Sequence, residues 1–224
     1  PVFCLPPIHG SVHGYQGVAA GLHLPVWGLR APGLEPGEEP HTDLRRMAEA
    51  FLGLIRQVVP TGPLRLLGYS FGAAVAQLIA TLEEVEMLLL VDGAAPRPAA
   101  VTEEAVLHLL GEAFGHPSVR SREELVDLLR AQQLFPEKEL LSQMGRLERV
   151  VQAHLRAWTG HVPQPVDAKT WLLRSAEGPP GGPPELDLGW NMYVRSLEVV
   201  EVGGDHRGAL RAAVEPLRRI LGER

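Results

Sequence analysis

A serine flanked by glycines constrains this chain more than any other feature. Residues 68–72 read Gly-Tyr-Ser-Phe-Gly, with Ser70 at the centre. An apolar stretch typical of a β-strand precedes them at residues 64–68, and a strong helix former follows at residues 73–80. A serine on such a strand-to-helix turn projects its hydroxyl above the edge of a sheet, and glycines let the neighbouring backbone pass close by. The pattern therefore predicts a nucleophile elbow.

Composition excludes several classes of protein. The net charge of -6 and the absence of a basic stretch argue against a nucleic-acid partner. The single cysteine, Cys4, cannot form an internal disulfide, and the sequence shows no signal peptide, so we expect a cytoplasmic protein. No apolar run approaches the ~20 residues that span a bilayer, so we expect no membrane partner. Because the chain enters a strand directly after Pro1, we expect it to be a piece of a longer polypeptide.

Alternation of strands and helices indicates an α/β fold. Several predicted strands are continuous apolar runs, which suit a parallel sheet that is covered on both faces. Helical periodicity is clearest at residues 42–58, and Ser11 is a candidate N-cap for an earlier helix that ends near residue 22. The predicted strands are residues 2–5, 24–29, 64–68, 86–92, 170–174 and 196–202, and the later predicted helices are residues 71–82 and 207–221.

The alternation is interrupted by a long helical segment. Residues 101–158 are helical in pattern throughout, with a capping box at Ser121 and Glu124 and a longer helix that Pro136 opens and Gly160 ends. We therefore predict one domain with an α/β-hydrolase fold, in which helices flank a mostly parallel central sheet. Residues 1–98 and 162–224 would form its core, and residues 99–161 a helical lid.

A serine nucleophile needs a base and an acid. In the α/β-hydrolase fold these follow in the order serine, acid, histidine. Of the nine histidines, His206 fits best because it follows the last predicted strand, at the sheet edge where Ser70 also lies. Taken alone, His206 would read as an ordinary surface-loop histidine. The presence of the elbow makes it the predicted base.

The acid has two candidates. Asp92 ends the strand after the elbow at the correct edge, and Glu177, just beyond the next strand, is the alternative. Asp205 adjoins His206, and adjacent side chains usually diverge. Asp167 precedes its strand and should lie at the opposite edge. We therefore favour Asp92.

Two backbone N–H groups should form an oxyanion hole. One belongs to Phe71, the residue after the nucleophile, and the other should come from the loop after the first strand. Pro6 and Pro7 have no N–H, so Ile8 is the first residue of that loop that could donate.

The sequence predicts no metal or cofactor site. His9 and His13 have a spacing seen in metal sites, but no third ligand accompanies them. A phosphate-binding glycine loop is also absent from the sequence. We expect catalysis without a resident cofactor.

At this point the chain resembles a known family. Its elbow, its predicted acid and histidine segments and four further motifs are together similar to the thioesterase domain of animal-type fatty acid synthase. More broadly, they resemble the chain-terminating thioesterases of polyketide and nonribosomal peptide synthases. The resemblance covers residues 1–96 and the end of the chain from about residue 166, whereas the lid matches poorly. The segments that carry it are residues 7–11, 27–29, 55–58, 62–63, 68–72, 91–93 and 204–207.

The resemblance implies a catalytic role for each of five residues and a reaction. It implies Ser70 as nucleophile, His206 as base and Asp92 as acid, with Ile8 and Phe71 as oxyanion donors. The implied substrate is a fatty acyl or polyketide chain on the phosphopantetheine arm of an acyl carrier protein, which an acyl-serine intermediate releases as the free acid. The chain departs from the family's His-Pro-Ile-Glu-Gly-Ser loop, since residues 6–11 read Pro-Pro-Ile-His-Gly-Ser. The lid and the segment between elbow and acid are also shorter than in the family.

Three other functions stay open. A carboxylesterase of the lipase type would favour an HGGG-type loop, which residues 6–11 lack. A release domain that cyclises its product differs only in the group that attacks the acyl-enzyme. A non-catalytic docking module often loses a triad member, and here all three candidates are present.

Overall fold

A computed structural model describes residues 1–223 and shows a six-stranded sheet in which every described ladder is parallel. The strand order is β2-β1-β3-β4-β5-β6. The predicted parallel α/β architecture with flanking helices is therefore confirmed. The strands are β1 (Val2–Leu5), β2 (Val26–Gly28), β3 (Leu64–Tyr69), β4 (Val85–Val91), β5 (Val166–Ser175) and β6 (Val194–Val202).

The central strands are apolar on both faces because both faces are buried. Along β1, Phe3 and Leu5 enter one core, whereas Val2 and Cys4 enter the other. This alternation follows from the two-residue period of a strand. Parallel strands covered on both sides need apolar residues at nearly every position, which explains the continuous apolar runs in the sequence.

Eight α-helices are described. The first core packs the sheet against α2 and α3, and the second packs it against α1, α7 and α8. Asp43 caps α2, since its side chain accepts a hydrogen bond from the Arg46 N–H at 2.8 Å. The helices are α1 (Gln16–Gly21), α2 (Leu44–Val58), α3 (Gly72–Leu82), α4 (Glu103–Phe114), α5 (Arg122–Ala131), α6 (Glu137–Thr159), α7 (Ala209–Ala212) and α8 (Val214–Ile220).

The sheet topology sets where a ligand can bind. The chain leaves β1 toward β2 on one side and later returns to place β3 on the other side of β1. In open α/β sheets, ligands bind beyond the carboxyl ends of the strands at such a reversal of strand order. The loops that follow β1 and β3 carry Ile8 and Ser70. The topology thus brings these two residues to one crevice.

Helices α4, α5 and α6 lie between β4 and β5 in the chain and have a core of their own. This third apolar cluster includes Leu110, Leu129 and Met144, and Ile8 packs against it from the loop after β1. The Ser121 side chain caps α5 by accepting from the Glu124 N–H at 3.1 Å. In a capping box, the Glu124 carboxylate would also accept from the N–H of Ser121. Here it accepts instead from the N–H of Arg120, one residue earlier.

Among the predicted boundaries that differ from the structure, three differ for local reasons. The first helix does not begin after Ser11: a 3₁₀ turn at His13–Tyr15 precedes α1, in a stretch that glycines weaken as a helix. The second strand is reduced to Val26–Gly28 because Pro25 has no N–H for the ladder. The single final helix is two short helices, and Pro216 lies in the first turn of the second, where a missing N–H is tolerated.

Candidate active site

Ser70 lies on a sharp turn between β3 and α3. Its φ angle is 56°, a left-handed conformation that is uncommon outside glycine. The Ser70 N–H donates to the Val91 carbonyl at 3.0 Å, and its own carbonyl accepts from the Ala73 N–H at 3.0 Å. Backbone hydrogen bonds on both sides therefore hold the serine in the strained conformation that the elbow pattern predicts.

The glycines around Ser70 are required by close backbone approaches. A Cβ atom at Gly68 would lie 2.2 Å from the Gly72 carbonyl oxygen, and one at Gly72 would lie 2.5 Å from the Leu5 carbonyl oxygen. The same holds for Gly93, on the loop after β4, because a Cβ atom there would lie 2.3 Å from the backbone carbonyl oxygen of Ser70. No real side chain fits at these distances, so the turn depends on glycine at all three positions.

The structure brings Ser70, His206 and Asp92 together. His206 Nε2 lies 3.1 Å from Ser70 Oγ, and His206 Nδ1 lies 2.8 Å from Asp92 Oδ2. Three separate loops supply the groups, after β3, β4 and β6, at the carboxyl edge of the sheet. The arrangement lets Nδ1–H donate to the carboxylate while Nε2 accepts from the serine hydroxyl.

Ser175, the last residue of β5, holds the Asp92 carboxylate in place. Its backbone N–H donates to Asp92 Oδ1 at 2.8 Å, and its hydroxyl donates to Oδ2 at 2.7 Å. Asp92 is fully buried. Burial acts to raise the pKa of Asp92, but the hydrogen bonds from His206 and Ser175 outweigh it and hold the pKa below its ordinary value. The carboxylate thus stays ionised inside the protein.

Tyr69 fixes His206 from the other side. The two rings stack with their centroids 4.9 Å apart, and the Tyr69 hydroxyl donates to the His206 backbone carbonyl at 2.9 Å. The strand end that carries Tyr69 is itself held by Tyr15, whose hydroxyl accepts from the Tyr69 N–H and donates to the Leu5 carbonyl. The histidine loop is therefore anchored to β3 directly beside the serine.

Within residues 1–223, the other acidic candidates make no hydrogen bond to His206 Nδ1, which contacts Asp92. Glu177 is exposed, and Asp205 accepts a hydrogen bond from the Gly208 N–H at 2.8 Å. Asp167 does not precede its strand as predicted, because β5 begins at Val166 and includes it; it still lies at the opposite edge, where it pairs with Arg195 at 3.0 Å. Among the predicted acids, Asp92 is the one whose carboxylate the structure places against the imidazole.

Ile8 and Phe71 lie on the loops that the sequence indicates, next to Ser70. Both line the same cavity as Ser70 and His206. Among residues 1–223, neither N–H donates to another backbone carbonyl. Two unpaired N–H groups beside a serine hydroxyl are what an oxyanion hole requires.

The cavity beside Ser70 has a volume of about 620 Å³. One wall consists of the loops after the strands, and the other comes from α4 and α6. Two loops meet at its rim, where Arg97 donates a hydrogen bond to the Gly181 carbonyl. The apolar side chains on the helical wall are Ala105, Leu109, Ala113, Leu155 and Trp158.

His9 and His13 both interact with Ser11, which lies between them in the sequence. Nδ1 of His9 accepts from the Ser11 N–H at 3.3 Å, and Nδ1 of His13 lies 3.1 Å from Ser11 Oγ. Within residues 1–223, no group of three His, Cys, Asp or Glu side chains could hold a metal ion. No helix in the same range is long and apolar enough to cross a membrane.

Reasoning from sequence missed three supporting residues. Ser175 and Tyr69 contact Asp92 and His206, and His154 of α6 is hydrogen-bonded to Ile8. One signal was available for Ser175, since it ends the strand next to the one that leads to Asp92. The pairing of Tyr69 and His154 with their partners has no counterpart in local sequence.

Comparison with known proteins assigns the family. The family model described as "Thioesterase domain" matches residues 1–220. A dimodular nonribosomal peptide synthase of Bacillus subtilis is 37% identical over 123 residues, which is 49% of this chain and 5% of that protein. Indigoidine synthase of Dickeya dadantii is 38% identical over 104 residues, 43% of this chain and 7% of that protein. The chain thus spans only a small part of the length of these relatives.

Solved structures share the fold. A four-domain nonribosomal peptide synthetase superposes with a TM-score of 0.84 at 21% identity, over 98% of this chain and 19% of that one. A thioesterase from the prodiginine pathway of Streptomyces coelicolor gives a TM-score of 0.71 at 21% identity, over 100% of this chain and 89% of that one. Together with the parallel sheet, these likenesses confirm the predicted α/β-hydrolase fold.

These comparisons support only the broader part of the resemblance that the sequence motifs indicate. The curated relatives described above are a nonribosomal peptide synthase and an indigoidine synthase, so they support the family and not the fatty acid synthase type. The match over residues 1–220 includes the inserted helices, which the sequence motifs left out. The chain belongs to the thioesterase domain family.

Proposed function

We propose that this chain is a serine thioesterase that releases an acyl or peptidyl chain from the phosphopantetheine arm of a carrier protein. One observation carries the proposal: the hydrogen-bonded series from Ser70 through His206 to Asp92 lies on an apolar-walled cavity. In a thioesterase-family chain, such a series supplies the nucleophile, base and acid that thioester cleavage needs.

In the proposed acylation step, Ser70 Oγ attacks the thioester carbonyl carbon. His206 Nε2, 3.1 Å away, accepts the hydroxyl proton as the Oγ–C bond forms. The resulting imidazolium is stabilised by Asp92, which accepts from Nδ1–H at 2.8 Å. Because Asp92 is ionised and held by Ser175, the imidazole keeps one orientation and one tautomer through the step.

The carbonyl oxygen becomes negatively charged as the tetrahedral intermediate forms. The N–H groups of Ile8 and Phe71 are proposed to donate to it. Phe71 directly precedes α3, so its N–H belongs to the positive end of that helix. In known enzymes, one such donor contributes about 3 kcal/mol to transition-state stabilisation.

Collapse of this intermediate breaks the carbon–sulfur bond. The pantetheine sulfur leaves with the proton that His206 Nε2 received, and the acyl group stays on Ser70 as an ester. A water molecule then attacks that ester while His206 accepts the water proton. The second tetrahedral intermediate releases the free acid, and His206 returns the proton to Ser70 Oγ. Protein side chains and water complete this cycle.

The three inserted helices are proposed to act as a lid over the α/β core. In this division, residues 1–98 and 162–224 form the core and residues 99–161 the lid. Leu109 and Trp158 present apolar surface to the cavity that Ser70 lines. An acyl chain bound there would be removed from water, which favours binding by about 25 cal/mol for each Å² of apolar surface buried.

The relatives support a carrier-tethered substrate without fixing its chemistry. They are multidomain synthases, which favours a carrier domain as the partner, in the same polypeptide or supplied separately. A peptidyl or polyketide chain fits these relatives more directly than the fatty acyl chain that the sequence motifs indicate. Cyclising release is the nearest alternative, because an amine or hydroxyl of the chain would replace water as the second nucleophile.

A panel of thioesters tests the proposal. Fatty acyl chains of rising length and short peptidyl chains are presented as pantetheine thioesters, with matched oxyesters, and the products are identified by mass spectrometry. We expect free acid from at least one thioester class and none from the Ser70→Ala variant. Faster turnover of oxyesters would instead indicate a carboxylesterase, and cyclic products a cyclising domain. Absence of any Ser70-dependent product would favour a non-catalytic docking module.

A further inference from the structure

His154 of α6 joins the inserted helices to both proposed oxyanion donors. Its side chain is fully buried. Its Nδ1 lies 2.8 Å from the Ile8 carbonyl oxygen, and its ring stacks on the ring of Phe71 with centroids 4.8 Å apart and planes within 1° of parallel. One side chain therefore contacts both of the cavity-lining residues that are proposed as oxyanion donors.

The contacts of His154 fix its tautomer. A carbonyl oxygen can only accept, so Nδ1 carries the proton and donates to Ile8. Nε2 is buried and has no hydrogen-bond partner among the described residues, so a second proton there would lack an acceptor. Burial accordingly lowers the pKa of His154 to about 4. The imidazole is neutral and donates from a single nitrogen near neutral pH.

The backbone of Ile8 is restrained on both sides, and His154 supplies one of the two restraints. On the N-terminal side, Pro7 fixes the chain, and its carbonyl accepts from the Gly10 N–H at 2.8 Å. On the C-terminal side, the Ile8 carbonyl is held by His154. With both flanking peptide units restrained, the direction of the Ile8 N–H is set by α6 as well as by the loop.

Packing alone does not account for an imidazole at this position. The buried Nε2 has lost its hydration without gaining a partner, whereas an apolar side chain of similar size would avoid that loss. The hydrogen bond that remains is directed at the loop after β1, not at another residue of the helical cluster. The polar group therefore acts on the oxyanion loop.

We propose that His154 is a positioning residue that aligns the Ile8 and Phe71 N–H groups for the oxyanion and so couples the placement of α6 to the rate of the chemical step. This inference rests on the proposed function. It adds that the lid helix contributes to transition-state stabilisation as well as to substrate binding. Loss of His154 should reduce kcat and leave KM nearly unchanged, since the oxyanion forms only after the substrate is bound.

Four variants separate the contribution of the hydrogen bond to Ile8 from those of the ring stack on Phe71 and of general helix packing. His154→Phe keeps a ring against Phe71 and removes the donor, whereas His154→Asn keeps an amide N–H near the position of Nδ1 and removes the ring. His154→Gln serves as the matched control for His154→Asn, because its amide nitrogen lies nearer the position of Nε2. Met144→Ala removes a buried side chain ten residues earlier in α6 and tests for general loosening of the helices.

We expect His154→Phe to lower kcat by about 10-fold or more with KM within about two-fold of the unmutated value. The rate at which a fluorophosphonate labels Ser70 should fall in parallel, because that reaction also needs the oxyanion donors. His154→Asn should retain several-fold more activity than His154→Gln. Met144→Ala should lower the melting temperature and should reduce kcat much less than His154→Phe does, because it keeps the bond to Ile8 and the ring on Phe71. If a folded His154→Phe keeps the unmutated kcat, or if the Asn and Gln variants are equally active, the inference is wrong.

Failure of the proposed function would be visible separately. An unmutated chain that hydrolyses no thioester, yet is labelled by fluorophosphonate at Ser70, would overturn thioester release and leave the labelling rates to decide the role of His154. An unmutated chain that hydrolyses thioesters, together with a His154→Phe variant of equal labelling rate and kcat, would overturn the role of His154 alone.

Discussion

Ser175 donates hydrogen bonds to both carboxylate oxygens of Asp92, from its backbone N–H and from its hydroxyl. The relationship joins the ends of β4 and β5 and leaves the Asp92 carboxylate one free direction, toward His206 Nδ1. Orientation of the histidine is thus a property of the sheet as well as of the histidine loop.

Ser175→Ala should weaken activity without abolishing it. The backbone bond to Oδ1 survives, while the loss of a hydrogen bond to a charged group costs about 1.5 kcal/mol. We expect kcat/KM to fall by about 10-fold at neutral pH. Because the lost bond helps to lower the pKa of Asp92, activity should also begin to fall at a higher pH on acidification. Ser196→Ala, at an exposed position on β6, is the control and should leave the pH–rate profile unchanged.

Asp92→Asn and Glu177→Gln compare the two acids that the sequence left open. An amide at position 92 cannot accept in the same way from His206 Nδ1, and the histidine then adopts the wrong tautomer. We expect kcat to fall by about 10⁴-fold for Asp92→Asn and to stay within about two-fold for Glu177→Gln. Steady-state thiol release measures both. A large loss in the Glu177 variant alone would contradict the assignment of Asp92.

Tyr69→Phe should reduce activity by a few-fold. The substitution keeps the ring stack on His206 and removes the hydroxyl that donates to the His206 carbonyl, so the loop loses one hydrogen bond of about 1 kcal/mol. The unfolding free energy, measured by chemical denaturation, should fall by a similar amount. Tyr193→Phe is the matched control, and equal effects of the two substitutions would show that the bond to His206 is unimportant.

Gly68→Ala should destabilise the fold strongly. A Cβ atom there would lie 2.2 Å from the Gly72 carbonyl oxygen, and the backbone around Ser70 would have to move. We expect a loss of more than about 3 kcal/mol in unfolding free energy, or failure to fold. Gly53→Ala on α2 is the control, because a Cβ atom at that position would have nothing within 4 Å of it. That substitution should stabilise by about 0.5–1 kcal/mol. Similar losses in both variants would count against a tight elbow.

Stability should fall between pH 6.5 and about 4. The pKa values of His154 and His9 are both lowered by burial to about 4, below the ordinary value of 6.5. Over this window the unfolded chain binds protons that the folded chain excludes, so the unfolding free energy decreases as the pH falls. Each histidine contributes a slope of about 1 kcal/mol per pH unit. Chemical denaturation at several pH values should show that His154→Phe loses about 1 kcal/mol per pH unit of this slope and keeps the part due to His9 and to His161, whose pKa burial also lowers. An unchanged slope would contradict the burial of a neutral His154.

The sequence located Ser70 and His206 and favoured Asp92 over Glu177, because Ser70, Asp92 and His206 each follow a strand at the carboxyl edge of a parallel sheet. That edge can be inferred from the order of strands and helices, and local glycines mark the elbow. The topology therefore placed the three side chains before their distances were known.

The supporting residues could not be found in the same way. Ser175 and Asp92 are separated by 83 residues, Tyr69 and His206 by 137, and His154 and Ile8 by 146. Their pairing depends on how the sheet and the inserted helices pack in three dimensions, and, apart from the position of Ser175 at the end of its strand, no local pattern indicates it. Pro25 and Pro216, by contrast, carried readable information about the shortened β2 and the divided final helix.

The central claim is that a thioester transfers its acyl group covalently to Ser70 and that water then releases this acyl group as the free acid. Rapid mixing with an acyl-pantetheine thioester, acid quenching and mass spectrometry of the digested protein measure this directly. We predict that the peptide containing Ser70 gains the mass of the acyl group at early times, that free acid follows, and that Ser70→Ala shows neither. Thioester hydrolysis that proceeds in Ser70→Ala at the unmutated rate, or an acyl group found on another residue, would contradict the account.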